Sequence, residues 1–169
     1  MSRRAVIVDA GPLIVLARID ALRLLRGLFG RVCITGTIRE EILPAAAVFP
    51  DAQLLARTLS EGWIEVIDMP RDDFRPLNPG VDSGEASAIH AACRRRDAGD
   101  AVLLVMDDRA GRLEARSRGL ATIGTAAVIG LARTEGLISA AKPALEQLAQ
   151  SGYYLGPAVI AVVLAEVGE

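Results

Sequence analysis

Ala5-Val6-Ile7-Val8-Asp9-Ala10-Gly11-Pro12 is the stretch on which the fold turns. Four consecutive apolar residues run straight into a carboxylate. A strand with one wet face would alternate apolar and polar. A run apolar at every position suits a strand covered on both faces, as in a parallel sheet. Gly11-Pro12 then turns the chain. Ala101 to Met106 repeats the pattern and ends on Asp107-Asp108.

Working outward, strands and helices alternate. Leu13 to Ala17 and Ala21 to Leu28 carry helical spacing, with Asp20 placed to cap the second. Arg31 to Thr35 reads as a strand, and Thr37 to Leu43 as a helix stopped by Pro44. Asp51 to Glu61 is a helix that Asp51 can cap and Gly62 can end. Trp63 to Ile67 reads as a strand, and the proline-rich Pro70 to Pro79 as a loop. Ser83 to Arg96 is a helix, with Ser83 as its cap and Ala86, Ile89, Ala92 and Cys93 at helical spacing. Arg109 to Arg118 is a helix closed by Gly119, Leu120 to Ile123 a strand, and Ala126 to Arg133 a helix. Leu145 to Gln150 and Pro157 to Val167 close the chain as helices. This alternation predicts an α/β fold: a three-layer α/β/α sandwich with a central, mostly parallel sheet, one domain over residues 1–169. In such sheets ligands bind beyond the carboxyl ends of the strands.

The composition agrees. The 169 residues are 51% hydrophobic but only 4% aromatic, so the core must be aliphatic. The formal charge is −2, so any nucleic acid would have to meet a local basic patch. Lys142 is the only Lys, a bias better assigned to genome composition than to phosphate recognition. Cys33 and Cys93 stand far apart in apolar settings and read as reduced core residues, not a zinc pattern. The apolar run after Met1-Ser2-Arg3-Arg4 is too short for a signal-peptide core, and Pro157 to Leu164 is too short to span a bilayer. The expectation is a soluble, cytoplasmic protein.

Carboxylates carry the candidate chemistry. One Asp closing a strand is ordinarily a turn residue or a helix cap; two strands that both end this way favour a site. Glu85, in the first turn of its helix, reads equally as a partner of the helix dipole or as a ligand. Of Glu40 and Glu41, Glu41 is taken as inward because Ile38 and Ile42 flank it. Were these groups to converge, they would repel one another unless a cation intervened. Hard divalent ions take oxygen ligands, and bound metal can activate water and stabilise charge at a phosphoryl group. His90, the only His, reads as a helix-surface or packing residue, not a ligand. Arg109, Arg112 and Arg116 share a helical face after the Asp pair and could meet a phosphate backbone. Arg94, Arg95 and Arg96 end a helix, where cations are at home. No aromatic platform for bases is visible.

These residues occur in a familiar order. Val8-Asp9-Ala10-Gly11-Pro12-Leu13-Ile14, Glu40-Glu41-Ile42, Ser83-Gly84-Glu85-Ala86 and Asp107-Asp108-Arg109 resemble the motifs of PIN-domain proteins. Asp107-Asp108-Arg109-x-Gly111-Arg112, Ala115, Gly119, Gly124-Thr125 and the ending near Gly152-Tyr153-Tyr154-Leu155 are similar to the prokaryotic DUF3368 branch. The resemblance implies a ribonuclease dependent on Mg²⁺ or Mn²⁺, like the VapC-type toxins of toxin–antitoxin pairs. It implies RNA as substrate, with an antitoxin protein and a second copy of the chain as partners; the short apolar runs, for their part, predict no membrane partner. It makes Asp9, Glu41, Glu85 and Asp107 or Asp108 the catalytic carboxylates, with Asp9, Glu85, Asp107 and Asp108 on the metal. Counting to Ala115 favours Asp108; adjacency to the strand favours Asp107; both are kept.

The chain departs from the family pattern at Gly11, where many members have Ser or Thr, and at Val105-Met106, where many have Thr. The alternative is therefore a weakly active or inactive PIN-like module that binds nucleic acid or an antitoxin. A receiver domain would show an acidic pair after the first strand. A dehalogenase-like phosphatase would need Asp where Gly11 stands. No glycine-rich nucleotide loop follows a strand.

Overall fold

The computed structural model describes residues 4–45, 48–70 and 74–169. Residues 1–3, and 71–73 of the expected 70–79 loop, lie outside that set. Among the described residues five strands form one sheet: β1 (Arg4–Val8), β2 (Val32–Thr35), β3 (Ile64–Ile67), β4 (Ala101–Val105) and β5 (Ala121–Ile123). The helices between and after them are α1 (Ala10–Arg18), α2 (Arg23–Phe29), α3 (Gly36–Ala45), α4 (Pro50–Ser60), α5 (Ser83–Asp97), α6 (Arg109–Ser117), α7 (Thr125–Thr134), α8 (Lys142–Gln150) and α9 (Pro157–Val167). The expected α/β sandwich is present, and its sheet is parallel at every pairing.

Strand order is β3-β2-β1-β4-β5. Consecutive residues of a strand face opposite sides of the sheet. Val6, Ile7 and Val8 are all buried, as are all four residues of β2, so helices cover both faces at the centre. The order runs outward from β1 in one direction and from β4 in the other. The reversal between β1 and β4 is where open α/β sheets form a crevice. Val8 pairs with Val105, and the Asp9 N–H donates to the Val105 carbonyl at 3.0 Å. Asp9 and Asp107 therefore leave neighbouring strands at the same edge.

Several expected caps differ. Asp82, not Ser83, caps α5: its Oδ1 accepts the Glu85 N–H at 2.8 Å, and Glu85 Oε2 accepts the Asp82 N–H at 3.0 Å. A carboxylate reaching the third N–H satisfies a donor that the helix leaves open. Phe49, not Asp51, precedes α4, because Pro50 takes the first helical position, where its missing N–H costs nothing. Asp51 instead pairs with Arg18 at 3.3 Å. Asp20 does not cap α2; Leu22 holds that position, and Asp20 bends the connection at φ 53°. Pro44 lies inside the last turn of α3 and does not stop it, since a proline there removes only one late N–H.

Packing falls into two apolar clusters. The larger surrounds the sheet. The smaller joins Val15 of α1 to α7, α8 and α9 through Ala126, Ile129, Leu145, Leu148 and Val163. Gly130 lets α9 come close: a Cβ there would stand 2.9 Å from Val163 Cγ1. Only Val163 of α9 is fully buried, while Val159 and Val162 remain exposed. Cys33 is buried, Cys93 is half-buried, and both are free thiols.

Candidate active site

A cavity of about 400 Å³ opens at the β1/β4 edge. Asp9, Glu41, Asp82, Glu85, Asp107 and Asp108 line it, with Arg109, Tyr153 and Tyr154 on its wall. All five carboxylates singled out in the sequence reach this one cavity.

Each is delivered differently. Asp9 closes β1 and begins α1, yet its side chain makes no capping bond. It is 6% exposed, and burial pushes its carboxyl up to about 7, the Ala10 N–H opposing and the charges of Glu85, Asp82 and Glu41 adding to the rise. Glu85 is 7% exposed. Burial lifts it to about 7 as well, the Asp82 N–H opposing and Asp82, Asp108 and Glu41 adding. Glu41 belongs to an exposed stretch of α3, but its carboxylate lies against Gly84, where a Cβ would stand 2.6 Å from either oxygen. Burial of that carboxylate, then Asp82, raises its pKa. Glu40, its neighbour, lines a different cavity between α3 and α5.

Asp107 is gripped. Its Oδ1 accepts the Thr125 N–H at 2.7 Å and its Oδ2 the Thr125 hydroxyl at 2.6 Å. The Tyr153 hydroxyl comes close to it. Burial, then the nearby Asp107 carboxylate, drives the Tyr153 phenol far above its ordinary value. Gly124 leaves room for the arrangement, since a Cβ there would meet Asp107 Oδ1 at 2.8 Å. Asp108 caps α6, accepting the Gly111 N–H at 2.9 Å.

The three arginines separate. Arg109 reaches the cavity wall. Arg112 turns inward, with Nη1 3.5 Å from a Cβ placed on Gly124; its Nε is buried without a hydrogen-bond partner among the described residues. Arg116 bonds Thr122 on β5 at 3.3 Å.

A family model, DUF3368, described as a PIN domain, matches residues 5–169. The chain belongs to the PIN-domain family. No curated protein matches it. PIN domains are generally nucleases and usually use divalent metal ions, so this PIN domain's cavity can be tested against that role. Its donors fit in kind, since every side chain facing a cation there would offer oxygen. Their placement is looser than a closed cage: among the described residues no three His, Cys, Asp or Glu side chains stand where together they could hold an ion.

Three residues of the cavity escaped the sequence reading. Asp82 was legible, because Asp82-x-x-Glu85 is the pattern of a capping box. Tyr153 and Tyr154 were not: only the return of the α8–α9 connection to the sheet edge brings them there. His90 packs as expected, stacked on Phe74 with ring centroids 4.5 Å apart.

Proposed function

We propose that this PIN domain is a metal-dependent endoribonuclease that hydrolyses RNA phosphodiester bonds. The observation that carries the reading is the meeting, in one cavity, of six carboxylates from four stretches of chain, two of them nearly buried and pushed up to about 7. A fold gains no stability from such mutual repulsion, so a cationic ligand is the physical reason to keep it.

Asp9, Glu85, Asp107 and Asp108 are the residues that would hold Mg²⁺ or Mn²⁺, with Glu41 beside them. Bound there, the ion would supply an activated water and charge stabilisation at the phosphoryl group. The chain's own part is positional. The capping box commits Glu85 Oε2 to the Asp82 N–H and leaves Oε1 free of that bond. Glu85, pushed up to about 7 by burial and its neighbouring carboxylates, would give up its proton as the ion binds. Thr125 fixes the Asp107 carboxylate. Arg109 offers a guanidinium at the wall, where a phosphate would enter. Incubation of the protein with single-stranded RNA and Mg²⁺ or Mn²⁺ should give cleavage that Asp9→Asn loses; equal cleavage by the variant rejects this site.

A second reading, a PIN scaffold that binds nucleic acid or an antitoxin without cutting, is favoured by Asp107, whose two oxygens are already engaged by Thr125, and by the lack of a closed cage. It requires that the protein give no saturable heat with either metal. The narrower toxin role adds an antitoxin and a second copy of the chain as partners. Co-purification with the product of an adjacent small gene would support it. Among the described residues no helix is long and apolar enough to cross a membrane.

A further inference from the structure

Among the described residues Tyr154 is the most exposed of the large apolar side chains, at 89%, and it stands on the wall of the carboxylate cavity. An isolated exposed tyrosine on a loop means little. This one is held between two anchors. Tyr153, just before it, lies beside Asp107 and packs on the smaller apolar cluster. Leu155, just after it, packs on the same cluster. Burial alternates accordingly: half-buried, exposed, half-buried over residues 153–155. Gly152, at φ 85°, turns the chain out of α8 into this segment, a conformation that glycine adopts without strain. The backbone under Tyr154 is thus tied down on both sides while its ring is left in water. Arg109 lies on the same wall.

A flat π-face on an anchored stretch of backbone at the wall of an acidic cavity, with Arg109 on the same wall, matches the needs of unpaired nucleic acid. Bases stack on aromatic faces whatever their identity, and the backbone takes the cation. Because the flanking contacts already order the segment, little further entropy is lost on binding. We propose that Tyr154 is a stacking residue for an unpaired base next to the phosphate held at the carboxylate cavity, so that the substrate enters as single-stranded RNA. The proposal rests on the nuclease reading for the placement of that phosphate.

The test is fluorescence anisotropy with a labelled adenine oligoribonucleotide of about ten residues, single-stranded and as its duplex with uracil. Ca²⁺ replaces Mg²⁺ in the titration, which keeps the RNA intact while leaving every carboxylate of the cavity native. Tyr154→Ala should weaken single-strand binding about tenfold, within the range seen when a stacking aromatic is truncated. Tyr154→Phe, which keeps the ring, should stay within about twofold, and duplex binding should not change between the variants. Equal binding by the Ala variant, an equal loss in the Phe variant, or no measurable binding of the oligonucleotide overturns the proposal. Cleavage by the wild-type chain is scored separately. A stacking effect without any cleavage sinks the nuclease reading and leaves the stacking assignment standing.

Discussion

Glu114 and Glu85 are both buried glutamates on helices that flank the same sheet edge, and the fold treats them in opposite ways. Glu114 is 3% exposed. It accepts the N–H groups of Leu77 and Asn78 at 3.0 and 2.9 Å and Arg118 Nε at 2.8 Å. Burial raises its pKa, but those donors outweigh it and the net shift is downward. Arg118 in turn bonds the Arg75 carbonyl at 3.0 Å and covers the Phe74 ring. Glu85 has one backbone donor, the Asp82 N–H, and faces other carboxylates. One glutamate is a peg that pins the segment before α5 to α6. The other is left with a single backbone donor among carboxylates. Burial alone does not mark a site; burial with too few donors does.

The comparison can be broken most sharply at Asp9, which shares the condition of Glu85. Asp9→Asn should lower RNA cleavage by at least about 100-fold, roughly 2.7 kcal/mol in the barrier. The same variant should melt higher at neutral pH. The folded-state pKa of Asp9 is raised from 3.8 to about 7, so the folded chain binds more protons than the unfolded one between those values. Stability from this group is therefore lost as pH rises through that window. The melting advantage of Asp9→Asn should be small at pH 4 and grow toward pH 7.5, to an order of a few kcal/mol. An advantage independent of pH would contradict the shift.

Glu114→Ala should do the reverse, with about 3 kcal/mol of stability lost and metal-dependent cleavage per folded molecule kept. Its carboxylate is depressed below 4.5. Its contribution is thus present above that value and fades as the pH falls through the folded pKa, so mutant and wild type should converge in acid. Denaturant titrations at two pH values check this. Gly84→Ala sharpens the distinction further. The added methyl would stand 2.6 Å from the Glu41 oxygens, but those end a flexible side chain that can swing away. Cleavage should fall about tenfold while the melting temperature holds, because Gly84 sits in the first turn of α5 with ordinary helical backbone and the displaced Glu41 carboxylate is at the solvent-facing end of its helix face. A fall in both would mean that Glu41 is structural. The smallest effect belongs to Asp108→Asn. Asparagine can accept the Gly111 N–H in its place, so stability should move by less than ~0.5 kcal/mol. Any loss of metal affinity would then report on ligation alone.

Much of the cavity was legible because its parts are local. A run of apolar residues ending in Asp says that a strand stops at a carboxylate, and Ala5 to Asp9 and Ala101 to Asp107 both behave so. What periodicity cannot supply is register and order. Nothing in either run says that β1 lies beside β4, or that Val8 pairs with Val105; those follow from how the helices pack between them. The caps slipped by one or two residues where several polar residues compete, as at Asp82-Ser83 and Phe49-Pro50-Asp51. The tyrosines were invisible as site residues, since Tyr153 and Tyr154 are brought to Asp107 by the smaller apolar cluster and not by any local signal. Glu114, inside a charged helix, gave no hint that two backbone N–H groups from residues 77 and 78 would enclose it.

Calorimetric titration of the protein with Mn²⁺ near pH ~6.5, repeated in buffers of different ionisation enthalpy, tests the central claim most directly. The carboxyls of Asp9 and Glu85, both pushed up to about 7, should give up protons as the ion binds. Wild type should then show saturable binding with proton release, and Asp9→Asn should lose it. A wild-type chain with no saturable heat, or an Asp9→Asn variant that binds as well, would contradict the account.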